Sequence, residues 1–213
     1  MRRPARLLIV LLSLTFAAGA WSQALVEGRD YLRIVPSHAT SDPNRIVVTE
    51  FFSYHCPHCF AFSQPFKQWS ARVAKDVVCR REAVDIGHQA WEPSARTFYA
   101  LQEMQKLDAV DDAFFGAIHR QRIPLANEGQ IAGWLATHGI AEKEFRSAYN
   151  SFPVNTQYNR GRQLAVAAKL PSVPTISIDG KYLVVIASNI DFGKQLAVVD
   201  ALIAKARADK KRS

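Results

Sequence analysis

Cys56 and Cys59, in the run Cys56-Pro57-His58-Cys59, are the residues of this sequence best placed for a reactive role. On a helix, a spacing of three puts both thiols on one face, close enough to close a disulfide within a single turn. Pro57 suits the first helical position, where the missing N–H costs nothing. Cys56 then stands at the helix N-terminus, where free backbone N–H groups and the positive end of the dipole favour a thiolate over a thiol. His58 adds positive charge or a hydrogen bond, and His55 is expected to add a smaller contribution. This stabilisation operates only after the disulfide has opened. Each ~1.4 kcal/mol of it raises a two-electron potential by about 30 mV. A favoured Cys56 thiolate therefore makes Cys56–Cys59 an oxidising disulfide and Cys56 a good leaving group. Cys59, deeper in the helix, is expected to be shielded and to resolve the mixed disulfide.

Two rival readings compete for the same residues. Zinc usually takes four ligands, and here only His55 and His58 lie near the pair, with no second Cys pair in the chain. A purely structural bridge around two intervening residues would constrain the unfolded chain little. Redox exchange is therefore the favoured reading, and no metal is expected. Cys79 sits between Val78 and Arg80 in a strand pattern and reads as a buried, inert thiol. His38, His88, His119 and His138 show no ligand spacing and read as surface or packed residues.

The compartment follows from the N-terminus. Arg2, Arg3 and Arg6 precede an apolar run from Leu7 to Ala18, followed by small residues at Ala18-Gly19-Ala20 and Ser22-Gln23-Ala24. This is the pattern of a secretory signal peptide over residues 1–24, cleaved after Ala20 or Ala24. The run is short for a membrane anchor. Removing the three arginines lowers the net charge from +8 to +5, and five of the remaining basic residues lie in Lys205–Arg212. The body of the protein is thus close to neutral, and nucleic acid is not an expected partner. With 213 residues, 48% hydrophobic and 22% charged, the chain supports one packed domain rather than a disordered or fibrous one.

The elements that must hold the pair can be read outward from it. Ile46–Phe52 (IVVTEFF) has the composition of a buried central strand and leads straight into the motif. A helix is expected from the motif to about Lys75, and Val77–Val84 forms a second strand. Tyr31–Val35 alternates as an edge strand. From Trp91 to about Lys169 the period changes to 3.6. Val110, Phe114, Ala117 and Ile118 share one face. Ile131, Trp134, Leu135 and His138 share another, behind a cap at Asn127 with Gln130 three residues on. Phe145, Ala148, Tyr149 and Phe152 mark a third. Strand signal returns at Thr175–Ile178, Asp179-Gly180 is a hairpin turn, and Lys181–Ile186 is the return strand. A final helix buries Leu196, Val199, Ile203 and Ala206. The fold class is α/β, with the helical block 89–169 inserted between a first part, 25–88, and a second part, 170–213.

Glu50-Phe51-Phe52-Ser53 leading into Cys56-Pro57-His58-Cys59, and Val173-Pro174 before a strand ending in Asp179-Gly180-Lys181-Tyr182, resemble the DsbA-type thiol:disulfide oxidoreductases. These are exported members of the thioredoxin superfamily, and the resemblance spans essentially the whole mature chain. It implies a thioredoxin fold with a helical insertion, a periplasmic location and no cofactor. It also implies a dithiol oxidase that passes the Cys56–Cys59 disulfide to newly exported, unfolded proteins through a mixed disulfide at Cys56. A membrane, quinone-linked partner of the DsbB type would reoxidise the pair. The alternative is a disulfide isomerase or reductase of the same fold. Isomerases of this superfamily typically carry a separate dimerisation domain, for which there is no room here, so a monomer is expected. The resemblance further implies that Pro174 is a cis proline facing the disulfide, that Val173, Pro174 and Thr175 present backbone to substrate, and that Glu50 is buried beneath the disulfide and assists proton transfer. Arg81 is a candidate charge partner for Glu50. Phe60 and Phe62 read as core, with one of them available to line a peptide groove.

Overall fold

The computed structural model describes residues 25–212 apart from 39, 41, 43 and 188, so the signal-peptide expectation lies outside the described residues. The chain runs β1 (Leu32–Arg33), β2 (Ile46–Phe52), α1 (Pro57–Ser70), β3 (Val77–Ala83), a 3-10 turn, α2 (Glu92–Glu103), α3 (Leu107–His119), α4 (Glu128–Ala136), α5 (Glu142–Tyr149), α6 (Phe152–Ala167), β4 (Thr175–Ile178), β5 (Tyr182–Val185) and α7 (Phe192–Lys210). The sheet order is β1-β5-β4-β2-β3. Among the described strands, β2 and β3 pair in parallel, while β2–β4, β4–β5 and β5–β1 are antiparallel. Strand β2 is covered on both faces, which is why its sequence is almost continuously apolar instead of alternating. Between β3 and β4 the chain builds α2 to α6, as the change of period implied.

Two cores flank the sheet. One joins Val48, Phe62, Phe66, Ile176 and Val199 between the sheet and the α1–α7 pair. The other joins Phe52, Tyr54, Cys56 and Cys59 to the inserted helices through Phe98, Phe114 and Phe115. The Cys56–Cys59 segment therefore sits at the end of β2, where sheet, α1 and insertion meet. The hairpin turn is as expected: Asp179 and Gly180 both take positive φ, at 52° and 63°. A Cβ at Gly180 would lie 2.2 Å from the His38 carbonyl oxygen, so glycine is needed there for space as well as conformation.

Four local expectations are corrected. Helix α1 stops at Ser70, not near Lys75, because residues 71–76 turn the chain back so that Val77 can enter β3 parallel to β2. The edge strand is shortened to Leu32–Arg33. Phe152 does not share a face with Phe145 and Tyr149. The Ser151 side chain caps a new helix by accepting from the Val154 N–H, and Phe152, its first residue, is 82% exposed. His138 lies beyond the end of α4, yet its ring stacks on Trp134 at 3.8 Å.

Candidate active site

Cys56 is the N-cap of α1, with extended backbone (φ −86°, ψ 117°), and Pro57 is the first helical residue. No side chain caps this end, so its free N–H groups are left for the sulfur. Cys56 is 5% exposed, while Cys59, one turn deeper, is fully buried. The Cys56 thiol is lowered from its ordinary value of 9.0 to about 6. The main cause is the hydrogen bond from the Cys59 thiol, followed by the backbone N–H groups of Cys59 and His58 and the charge of His58, all acting against burial. The Cys59 thiol is pushed well up, first by burial and then by the neighbouring Cys56 and by Glu50. The Ser53 N–H, 3.5 Å from the Cys59 sulfur, opposes this only partly. One proton is thus held on the inner sulfur and donated to the outer one.

Pro57 and His58 are exposed at the mouth. His55 is less able to add a positive charge than an ordinary histidine. It is half-buried, and burial together with His119 lowers its proton affinity. The Val173–Pro174 bond is cis, and the Cys56 sulfur lies 3.4 Å from the Val173 carbonyl oxygen. Pro174 is buried behind it, and Thr175 is fully buried, with its hydroxyl donating to the Ser172 carbonyl at 2.8 Å. Of this trio, Val173 is the one whose backbone reaches the sulfur.

Beneath the pair, Glu50 is 1% exposed and lies opposite Arg81 in the β2–β3 register. Arg81 Nε donates to Glu50 Oε2 at 2.9 Å, which makes the candidate partner the actual one. Burial raises the proton affinity of Glu50, and Arg81 offsets this in part. Three residues here carried no signal in the motif. Arg81 Nη1 also donates to Asp111 Oδ2 at 2.7 Å. The Tyr54 hydroxyl donates to Asp111 Oδ1. His119 Nε2 donates to the Tyr54 carbonyl at 2.7 Å and stacks on Phe60 at 4.9 Å. Asp111 precedes Phe114 and Phe115 by three and four positions, so an acid at an otherwise apolar helical stripe was the available clue. Phe62 is core, and Phe60 is half-buried beside the motif. Cys79 is half-buried, not fully buried as expected. Burial pushes its thiol up to about 11, and it remains outside the redox pair. Among the described residues no cluster of His, Cys, Asp or Glu fits a metal ion.

Residues 47–196 match the DSBA-like thioredoxin domain. The chain belongs to this family. It is 33% identical over 197 residues to the thiol:disulfide interchange protein DsbA of Pseudomonas aeruginosa, covering 92% of this chain and 93% of that one. It is also 33% identical over 181 residues to the DsbA of Bordetella parapertussis, covering 84% and 85%. A crystal structure of P. aeruginosa DsbA superposes with a TM-score of 0.81 at 34% identity, covering 86% of this chain and 95% of that one. The oxidoreductase NmDsbA1 of Neisseria meningitidis superposes with a TM-score of 0.77 at 25% identity, covering 88% and 96%. The fold is thus a thioredoxin-like sheet with a helical insertion, and the protein is a thiol:disulfide oxidoreductase whose CXXC pair is Cys56 and Cys59.

Proposed function

We propose that Cys56 and Cys59 are the redox pair of a dithiol oxidase acting on newly exported proteins in the periplasm. The supporting observation is the contrast between the two sulfurs, with Cys56 lowered to about 6 and Cys59 buried and raised. A substrate thiolate attacks Cys56 Sγ; a bond forms to Cys56, and the Cys56–Cys59 bond breaks. Cys59 leaves as a thiolate and takes up a proton, with Glu50 as donor. The second substrate thiolate then attacks its own sulfur in the mixed disulfide. The substrate leaves oxidised, and Cys56 departs as a stable thiolate. His58 and Pro57 shape the helix end at which that thiolate rests, while Val173, Pro174 and Thr175 form the loop that a substrate strand would meet. A membrane disulfide donor of the DsbB type returns the oxidising equivalents, with Cys59 giving its proton back to Glu50 as it re-forms the bridge. Residues 1–24 serve as the export signal, the helical block 89–169 divides the thioredoxin part, and the mature protein acts as a monomer.

The test is stoichiometric oxidation of a two-cysteine peptide, followed by mass. The oxidised protein converts the peptide, Cys56→Ser does not, and Cys59→Ser accumulates a peptide adduct on Cys56. A Cys56 thiolate titrating near 9 in the ultraviolet would remove the case for an oxidase.

A further inference from the structure

The acid beneath the redox pair does not have its arginine to itself. Arg81 reaches from β3 between two carboxylates, Glu50 at 2.9 Å and Asp111 at 2.7 Å. One fixed positive charge thus faces two acids. Asp111 makes the shorter contact, and its other oxygen accepts from the buried Tyr54 hydroxyl. Glu50 Oε1 is buried with no hydrogen-bond partner, as is Arg81 Nη2. The guanidinium carbon lies 4.0 Å from the Phe52 ring centroid, a cation–π contact that helps to fix it between the two acids. A buried oxygen without a donor is costly as an anion and cheap as a carboxylic acid. Beyond Arg81 and Asp111, a cavity of about 130 Å³ between α1 and α3 is lined by Ser63, Lys67, Asp108 and Asp112. The charged and titratable groups facing this assembly are Cys59 and Lys67 from α1, Tyr54, Arg81 from β3, and Asp108, Asp111 and Asp112 from α3.

We propose that Asp111, with Tyr54 behind it, is a positioning residue for the redox reaction: by competing for Arg81 it keeps Glu50 able to carry the proton that Cys59 gains and loses. The helical insertion thereby sets the protonation of an acid on the sheet. Asp111 touches neither sulfur and acts through Arg81 alone. The inference rests on the oxidase reading above and deepens it.

The experiment loads Cys56 with glutathione and follows its release by Cys59 as a function of pH. Wild type shows an inflection that Glu50→Gln lacks. In Asp111→Asn the inflection moves to lower pH by about one unit or more, the size expected when a carboxylate loses a like charge and gains a fuller share of a cation. Asp111→Glu returns it towards wild type. Should Asp111→Asn fail to fold, Asp111→Ser removes the same charge with a smaller side chain and gives a shift of the same sign. An inflection left at the wild-type pH in a folded Asp111→Asn or Asp111→Ser variant overturns the inference, as does a wild-type profile identical to that of Glu50→Gln. If wild type fails to oxidise the two-cysteine peptide, the oxidase reading falls first. If it oxidises the peptide and only the shift is missing, the positioning role alone falls.

Discussion

At the mouth of the site, Cys56 meets backbone N–H groups, the proton of Cys59 and an exposed histidine; one helical turn below, Cys59 and Glu50 meet apolar core and a single shared arginine. The mouth stabilises charge with dipoles that need no counter-ion and tolerate water. The floor is largely buried and so must balance ions one against another. The same element, the β2–α1 junction, thus holds one sulfur that prefers to be an anion and another that prefers to keep its proton. That asymmetry gives the pair a direction: the outer sulfur leaves easily, and the inner one waits for a proton acceptor.

The floor should be the more fragile of the two. Arg81→Met removes the cation that Glu50 and Asp111 share and leaves two largely buried carboxylates facing each other. Breaking one side of a buried ion network typically costs about 3–5 kcal/mol. Urea unfolding should show a loss of that size at neutral pH, shrinking as acid neutralises the carboxylates. The triple change Glu50→Gln, Arg81→Met, Asp111→Asn removes all the charges together and should recover most of the loss. Equal destabilisation of the single and triple variants would mean that packing, not charge, governs the floor.

The mouth should show itself in the potential instead. A Cys56 thiol at about 6 against an ordinary 9.0 stabilises the opened form fully only above 9, and this stabilisation is lost as pH falls through 6. Its full value is about 4 kcal/mol, or roughly 90 mV, but at pH 7 only about 1.4 kcal/mol, or roughly 30 mV, is realised. The potential should therefore fall by about 59 mV per pH unit below 6, where reduction takes up two protons, and by about 30 mV above it, where it takes up one. Equilibration against glutathione from pH 5 to 9 locates the break. A slope that stays steep to pH 8 would show that Cys56 titrates as an ordinary thiol.

Much of this was legible from the chain. Strand β2 was read with its bounds, because a strand buried on both faces advertises itself as an unbroken apolar run. The helix-capping position of Cys56 followed from Pro57, and the Asp179-Gly180 turn from its residue types. The Glu50–Arg81 pair was foreseeable, since parallel neighbours share a register. The third member of the network was not, because Asp111 lies 57 positions from Tyr54 and 30 from Arg81, and only packing of α3 against the sheet brings them together. The lowered proton affinity of His55 was hidden for the same reason: it comes from burial and then from His119, which belongs to the insertion. The end of α1 was misjudged because periodicity continues through a turn whose position is dictated by the strand that follows.

The smallest expected effect separates dipole from side chain at the mouth. His58 is exposed, and its charge is the last of the influences lowering Cys56, after the thiol of Cys59 and the backbone N–H groups. His58→Ala should therefore raise the Cys56 midpoint by only a fraction of a pH unit, matching the roughly 0.3–1 kcal/mol of an exposed charge near a helix end. Because an exposed charge is screened, the difference from wild type should shrink between 0.05 and 0.5 M salt, an ionic-strength span of about this size being enough to shorten the Debye length severalfold. Ultraviolet titration of the thiolate in both proteins at both salts measures it. A large, salt-independent shift would move the source of the thiolate's stability from the helix end to the imidazole, and the division of labour between mouth and floor would then be one between two side chains, His58 and Arg81.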